Sequence, residues 1–348
     1  MADINIDTSA TEVESSVQGA AGRKPHPLIL LLGMSGGLGV ILVLLLMVFI
    51  LPALKGGPHD LPVGIVGLPS DVTEFEQALH GAAPGAYAPQ RFESESELRT
   101  AIFDRDIVGG FVLGGSDVHA LVAGAGSATI SGAISNAVEA VGQATGGDVT
   151  VEDVVPLPEA DPTGIGIGGL AFPLVFGGIV PVVAFRKIFP RSMIWYLAGL
   201  IGFAMLGGIV VASILTFSFG SIEAAFWPVA ASMAMGIAAL ALPLAGLQSV
   251  FGAKGFTIGA MTMMFLGNPL AGISTTSAWL PSGLGTVGQI LPPGAAGALV
   301  RSAAYFHGAG GLTAALTLVL WSVVGLVLFA VGARRTPVVA STAPSLVG

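Results

Sequence analysis

Charge in this chain is confined to particular places, and that pattern limits what it can fold into more than any motif does. Residues 60–161 are polar and strongly acidic, whereas beyond Asp161 the sole carboxylate is Glu223. The runs on either side of the acidic stretch are long, apolar and nearly uncharged. Charged residues make up 10% of the chain and the mean hydropathy is +0.86. Soluble domains carry roughly a quarter charged residues. So little charge cannot cover a soluble surface of this size, so the apolar excess must face lipid. Cysteine is absent, which excludes disulfides and thiolate metal sites. The abundance of Gly and Pro, with much Ala and Val, points to a GC-rich bacterial genome.

A span needs about 20 mostly apolar residues. Six stretches qualify: 28–51, 164–185, 193–217, 224–250, 255–278 (interrupted at Asn268-Pro269) and 311–332. The first follows Arg23 and Lys24. It is too long for a signal-peptide core and no small-x-small site follows it, so it reads as an uncleaved anchor. With the N-terminus inside, the inner loops hold Arg23, Lys24, Arg186, Lys187, Arg191, Lys254, Arg334 and Arg335. The outer ones hold Lys55 and Arg301. This bias predicts cytoplasmic termini and an extracytoplasmic acidic domain in a multi-pass plasma-membrane protein.

The expected organisation is a cytoplasmic tail over 1–27, a first span over 28–52 and an α/β domain over 57–160. Spans two to six follow over 164–333, then a second tail over 334–348. The fold class is therefore an α-helical polytopic membrane protein with an inserted extracytoplasmic α/β domain. Inside that domain, strands are expected at 61–68, 90–93, 107–113, 118–123 and 149–155. Helices are expected at 71–80, 95–104 and 127–143, the first capped by Ser70 or Asp71 with Glu74 behind it. Strand and helix alternation over a hundred residues argues for a small α/β unit. Residues 1–22 and 336–348 are polar and lack any pattern that would bury a core.

Motifs for known chemistries fail in context. No Gly-x-x-x-x-Gly-Lys-Ser/Thr sequence occurs, so the chain carries no P-loop of its own. His-Glu-x-x-His is absent too, and His26, His59, His80, His119 and His307 are scattered. Gly33-Met34-Ser35-Gly36-Gly37 matches a nucleophile elbow, but that motif needs a strand–turn–helix setting. Here it lies inside a span, where small residues serve helix packing. Gly164-Ile165-Gly166-Ile167-Gly168-Gly169 resembles a dinucleotide loop, yet it opens a span. The reading is of a protein that is not an enzyme and needs no cofactor or metal. Span cores hold no ionisable residue, which argues against a proton-coupled transporter, while uncharged backbone sites would still bind ions.

Two regions are singled out. The inner loop Arg186-Lys187-Ile188-Phe189-Pro190-Arg191 joins spans two and three, and its Arg186, Lys187, Phe189 and Arg191 form a docking candidate for an energising subunit. The plain alternative is a topology signal meeting anionic lipid, at about 1 kcal/mol per cation. The segment 268–306 carries Asn268, Pro269, Pro281, Pro292, Pro293 and Arg301. Irregular backbone at membrane depth must be buried in protein or line a wet cavity. A broken fifth helix followed by short outer-leaflet helices is expected; an ordinary outer loop resting on the membrane is the alternative.

One span, a large outer domain and five further spans ending in this segment resemble the membrane subunits of type-2 ABC exporters, in particular the phage-infection-protein-like permeases. The residues that carry the likeness are Asn268-Pro269-Leu270-Ala271-Gly272, Leu280-Pro281, Gly288-Gln289-Ile290-Leu291-Pro292-Pro293-Gly294-Ala295 and Leu299-Val300-Arg301-Ser302-Ala303-Ala304-Tyr305-Phe306. The resemblance implies a homodimeric permease driven by a separate ATP-binding subunit that contacts residues 23–27 and 185–193. Its expected partners are the lipid bilayer, that ATPase and a second copy, with no nucleic acid. The expected function is export of a hydrophobic or amphipathic molecule. The alternative is a membrane-anchored binding or scaffold protein whose outer domain recognises a cell-envelope partner.

Overall fold

The computed structural model describes residues 26–281 and 283–335. Readings that rest on Arg23, Lys24, Ser282 or the tails 1–22 and 336–348 lie outside the described residues. The chain divides after Met47 into two units. The first contains most of α1 (Pro27–Lys55), whose only charge is the terminal Lys55.

The second unit opens with a mixed sheet of five strands: β1 (Leu61–Val66), β2 (Tyr87–Arg91), β3 (Gly109–Gly114), β4 (Asp117–Val122) and β5 (Val149–Asp153). Their order is β2-β1-β3-β4-β5. Only the β3–β4 hairpin is antiparallel, with Phe111 opposite Ala120. Three helices cover the sheet: α2 (Pro69–Ala82), α3 (Glu95–Phe103) and α4 (Ala128–Thr145). Each expected strand and helix has a counterpart here, with ends moved by up to three residues. One detail differs. Helix α2 is preceded by Leu68 without a side-chain cap and opens on Pro69, because proline's fixed φ suits the first helical position. Ser94 and Ser127 do cap α3 and α4, accepting from Glu97 N and Ile130 N, both at 3.3 Å.

The period of two along the strands separates two cores. Leu61, Val63, Ile65, Phe111, Val118 and Ala120 face α2 and α4, where Ile130, Ile134, Val138 and Val141 recur at helical spacing. The opposite face packs Leu98, Ile102 and Leu121 with Phe306, which comes from far along the chain. Helix α3 lies close to the sheet because Gly64 and Gly110 leave room for Leu98.

The remaining residues are mostly helical. The short α5 (Ile165–Gly168) leads into α6 (Ala171–Ile188); α7 (Met193–Ser213) continues into a π-turn at Ile214–Ser218. Next comes α8 (Phe226–Thr262), followed by a second π-turn at Met263–Gly267. Three short pieces follow: α9 (Asn268–Leu270), α10 (Leu284–Ile290) and α11 (Pro292–Tyr305). The last helix is α12 (Leu312–Arg335). Among the described residues, five helical stretches are long and apolar enough to cross a membrane: Pro27–Ile50, Ile165–Ile188, Met193–Ser218, Phe226–Leu270 and Leu312–Arg335. The protein is thus a mostly helical chain compatible with membrane embedding, with one small α/β sheet.

The stretch Phe226–Leu270 spans 45 residues, but it is not one rod. Gly252 has φ 66° and ψ −152°. A Cβ on Gly259 would stand 2.7 Å from Leu247 Cδ1 and 2.9 Å from Leu244 Cδ2. Along a straight helix residues 244 and 259 would be about 22 Å apart, so the chain folds back at Gly252 into two antiparallel arms. The expected fifth span, 255–278, corresponds to the second arm and ends sooner, at Leu270, where the chain leaves the helix.

The first arm of α8 is the hub: 78% of the most apolar window of this stretch is buried, against 22–39% for the other candidate spans of this unit. Small residues allow that closeness. Gly178 of α6 meets Leu240, Gly208 of α7 meets Ala230, and Gly325 of α12 meets Leu242 and Pro243. Backbones approach through glycine, and dispersion contacts then hold apolar helices together where no hydrophobic drive separates them from lipid.

Candidate functional site

Two structural regions and one loop bear on function. At the sheet-bearing end of the helices, the segment after Leu270 folds into a knot of short helices. Gly288 lies against the Leu270 carbonyl and Gly294 against the Gly288 carbonyl. A Cβ on Gly267 would sit 3.0 Å from Pro293 Cγ. Asn268, Pro269, Pro292 and Pro293 are therefore brought together. Pro292 and Pro293 open α11, where the missing amide protons cost nothing. Several carbonyls left free by the irregular path accept from side chains of the knot and of α12. Gln289 Nε2 donates to the Ala271 carbonyl at 3.1 Å, and Trp321 Nε1 donates to that of Ile290 at 2.8 Å. Arg301 donates to the Ile273 carbonyl at 2.7 Å and to that of Thr275 at 3.3 Å. Pro281 stands apart, its carbonyl accepting from Leu284 N at 3.0 Å. Asn268 is buried, and its Oδ1 has no partner among the described residues.

Beside this knot lies a cavity of 640 Å³ between the α5–α6 entry and the end of α7. Its wall is mainly apolar, with Ile165, Leu170, Pro173, Val211, Ile214 and Leu215, and it includes Asp161 and Ser221. The π-turn at Ile214–Ser218 opens this wall, as such bulges often do at functional sites. Asp161 is buried yet satisfied: its Oδ1 accepts from Ile165 N at 2.9 Å and its Oδ2 from Gly166 N at 2.8 Å. The absence of a side chain at Gly166 lets Asp161 and Ser221 approach. The Ser221 carbonyl accepts from Tyr305 OH at 2.9 Å, while Ser221 Oγ is buried without a partner among the described residues. A mainly apolar cavity with one carboxylate and the hydroxyls of Ser218 and Ser221 suits an amphipathic molecule bearing a hydrogen-bonding head.

Sequence reasoning singled out neither Asp161 nor Ser221. Asp161 carries a usable signal: it is the last acid before an apolar run and stands just ahead of a glycine-rich helix start, as a capping carboxylate would. Ser221 carries none, since only the fold brings it to Gly166.

The loop Arg186–Arg191 lies at the other end of α6 and α7, away from the cavity. Lys187 and Arg191 are exposed. Arg186 stacks over the Tyr196 ring at 5.8 Å. Phe189 does not project: its ring stacks with Phe185 and Trp195, each at 6.4 Å between centroids. The apolar groups that do project there are Ile188, Ile194 and Trp195, each more than 60% exposed.

No family model, no curated protein and no solved structure matches this chain.

Proposed function

We propose that this chain is the membrane-embedded subunit of an ABC-type exporter for a hydrophobic or amphipathic molecule, energised by a separate ATP-hydrolysing subunit. The observation that carries the reading is the 640 Å³ cavity, apolar but for Asp161, Ser218 and Ser221, at the end of the helix bundle. Counting the two arms about Gly252 as separate crossings gives six spans. With both termini inside, the α/β domain and the knot of short helices are then on the outer side. The loop Arg186–Arg191 faces the cytoplasm and meets the ATPase through Lys187, Arg191 and its projecting apolar neighbours. A second copy completes the exporter.

Two measurements test this. A fluorescent amphiphile should bind the full chain in nanodiscs saturably. Ile214→Trp, which fills the cavity from a partly exposed position, should weaken that binding about tenfold. The chain purified in mild detergent from its native cells should also bring down an ATPase whose hydrolysis the amphiphile stimulates. Binding indifferent to Ile214→Trp removes the cavity from the reading. A chain that brings down no ATPase gives first place to the scaffold function.

A further inference from the structure

Arg105 turns the chain between α3 and β3 with φ of 64°, an uncommon conformation for a long side chain and one that tends to persist at functional sites. Its stem is held by the loop after α11: a Cβ on Gly310 would stand 3.2 Å from Arg105 Cβ and 3.3 Å from its Cδ. Its guanidinium lies over the Phe306 ring at 5.1 Å. Burial pushes the guanidinium pKa below its usual value. Yet among the described residues its side chain makes no ion pair and no hydrogen bond. Its sequence neighbours Asp104 and Asp106 are exposed and do not pair with it.

A second cation lies close by. Arg301 spends two N–H groups on the Ile273 and Thr275 carbonyls, the latter one residue from Thr276 of the pocket wall, and meets no carboxylate among the described residues. The pocket beside Arg105 has a volume of 180 Å³, with Ser127 and Thr276 on its wall. Ser127 is the cap of α4, an 18-residue helix, whose positive end therefore meets the same space. A partly buried cation is ordinarily paired. Here one cation, a helix N-terminus and two hydroxyls meet an otherwise apolar small cavity, with a second cation behind its wall, and among the described residues no acid lines it.

We propose that this pocket between the α/β domain and the knot of short helices binds a phosphate-class anion, free or as a lipid headgroup, with Arg105 as its anchor and Arg301 behind it. The planar fork of arginine matches two phosphate oxygens at once. The inference does not depend on the exporter reading, since it uses neither the larger cavity nor an ATPase.

The test is thermal unfolding of the full chain in neutral detergent at constant ionic strength. The probes are inorganic phosphate and dihexanoylphosphatidylglycerol, against chloride. A saturable rise in melting temperature is expected with at least one probe, and Arg105→Gln should weaken it at least about tenfold. A response to phosphate identifies a free anion; a response to the lipid alone identifies a headgroup. Arg105→Lys keeps the charge, loses the fork and should bind several-fold more weakly, which keeps the test open if Arg105→Gln does not fold. No saturable response to either probe in the wild type overturns the proposal. So does an affinity unchanged in both variants, the mark of general salt stabilisation.

Discussion

At the scale of residues, the α/β domain shows how one surface arginine links distant parts of the sheet unit. Arg99 donates to Glu152 twice, at 2.7 and 2.6 Å, and to Glu95 of its own helix at 2.8 Å. Glu152 thereby joins β5 to α3. These hydrogen bonds from Arg99 hold the Glu152 carboxyl below its usual pKa of 4.5. A depressed carboxylate contributes stability that is present above the unfolded value and lost as pH falls through the folded one. The domain should therefore lose stability on acidification below about pH 4.5, and Glu152→Gln should flatten that part of the curve. Denaturant melts of wild type and variant between pH 3 and 6 decide it; parallel curves would remove the Arg99 pairing as the cause. The pair is exposed, so its worth at neutral pH is small.

At the scale of elements, two features are set by single positions. The reversal of α8 depends on Gly252, whose φ is positive and whose missing Cβ would meet nothing. Gly252→Ala should thus cost backbone strain alone, about 1–3 kcal/mol. Gly132→Ala, in the interior of α4 and equally uncrowded, should instead stabilise by about 0.5–1 kcal/mol. Chemical denaturation of the full chain in detergent reads both, and equal effects would mean that Gly252 adopts its turn for no reason of its own. The second feature is Phe306, buried at 2% exposure in the core formed by α3 and the sheet. Phe306→Ala should destabilise the domain by about 3–5 kcal/mol. The isolated fragment 57–160 should still melt cooperatively, since the α2–α4 core is almost wholly its own. It should melt at a lower temperature than the domain in the whole chain. A fragment as stable as the tethered domain would show that Phe306 contributes nothing.

For the whole molecule, the proposed orientation is tested by cysteines at exposed positions in a chain that has none. Ser116→Cys in the β3–β4 turn and Ala224→Cys before α8 should label with an impermeant reagent in intact cells. Pro190→Cys, in the loop between α6 and α7, should label only after lysis. The reverse pattern would invert the topology. Ser221 is unsuitable for this purpose because it is buried. For the same reason of packing, Phe189→Ala tests the fold of its loop before it tests docking; Ile188→Ala removes a projecting group and leaves every charge in place.

What the sequence by itself determined were the properties that local pattern encodes. Apolar runs of sufficient length marked the membrane-compatible helices, and period-two and period-3.6 burial marked the strands and helices of the domain, because both depend on neighbours a few residues apart. Pro292-Pro293 marked a helix start, since proline's missing donor costs nothing there, whereas the helical stretch runs through Asn268-Pro269 and ends only at Leu270. Tertiary structure alone decided which distant groups meet. That the chain reverses at Gly252, that Phe306 completes a core begun at Leu98, that Ser221 reaches Gly166 and that Arg105 stands near Arg301 all depend on contacts between residues far apart in the sequence. Such contacts leave no periodic trace, because packing in three dimensions selects them by shape and charge, and a single chain read along its length carries no record of which partners the fold will choose.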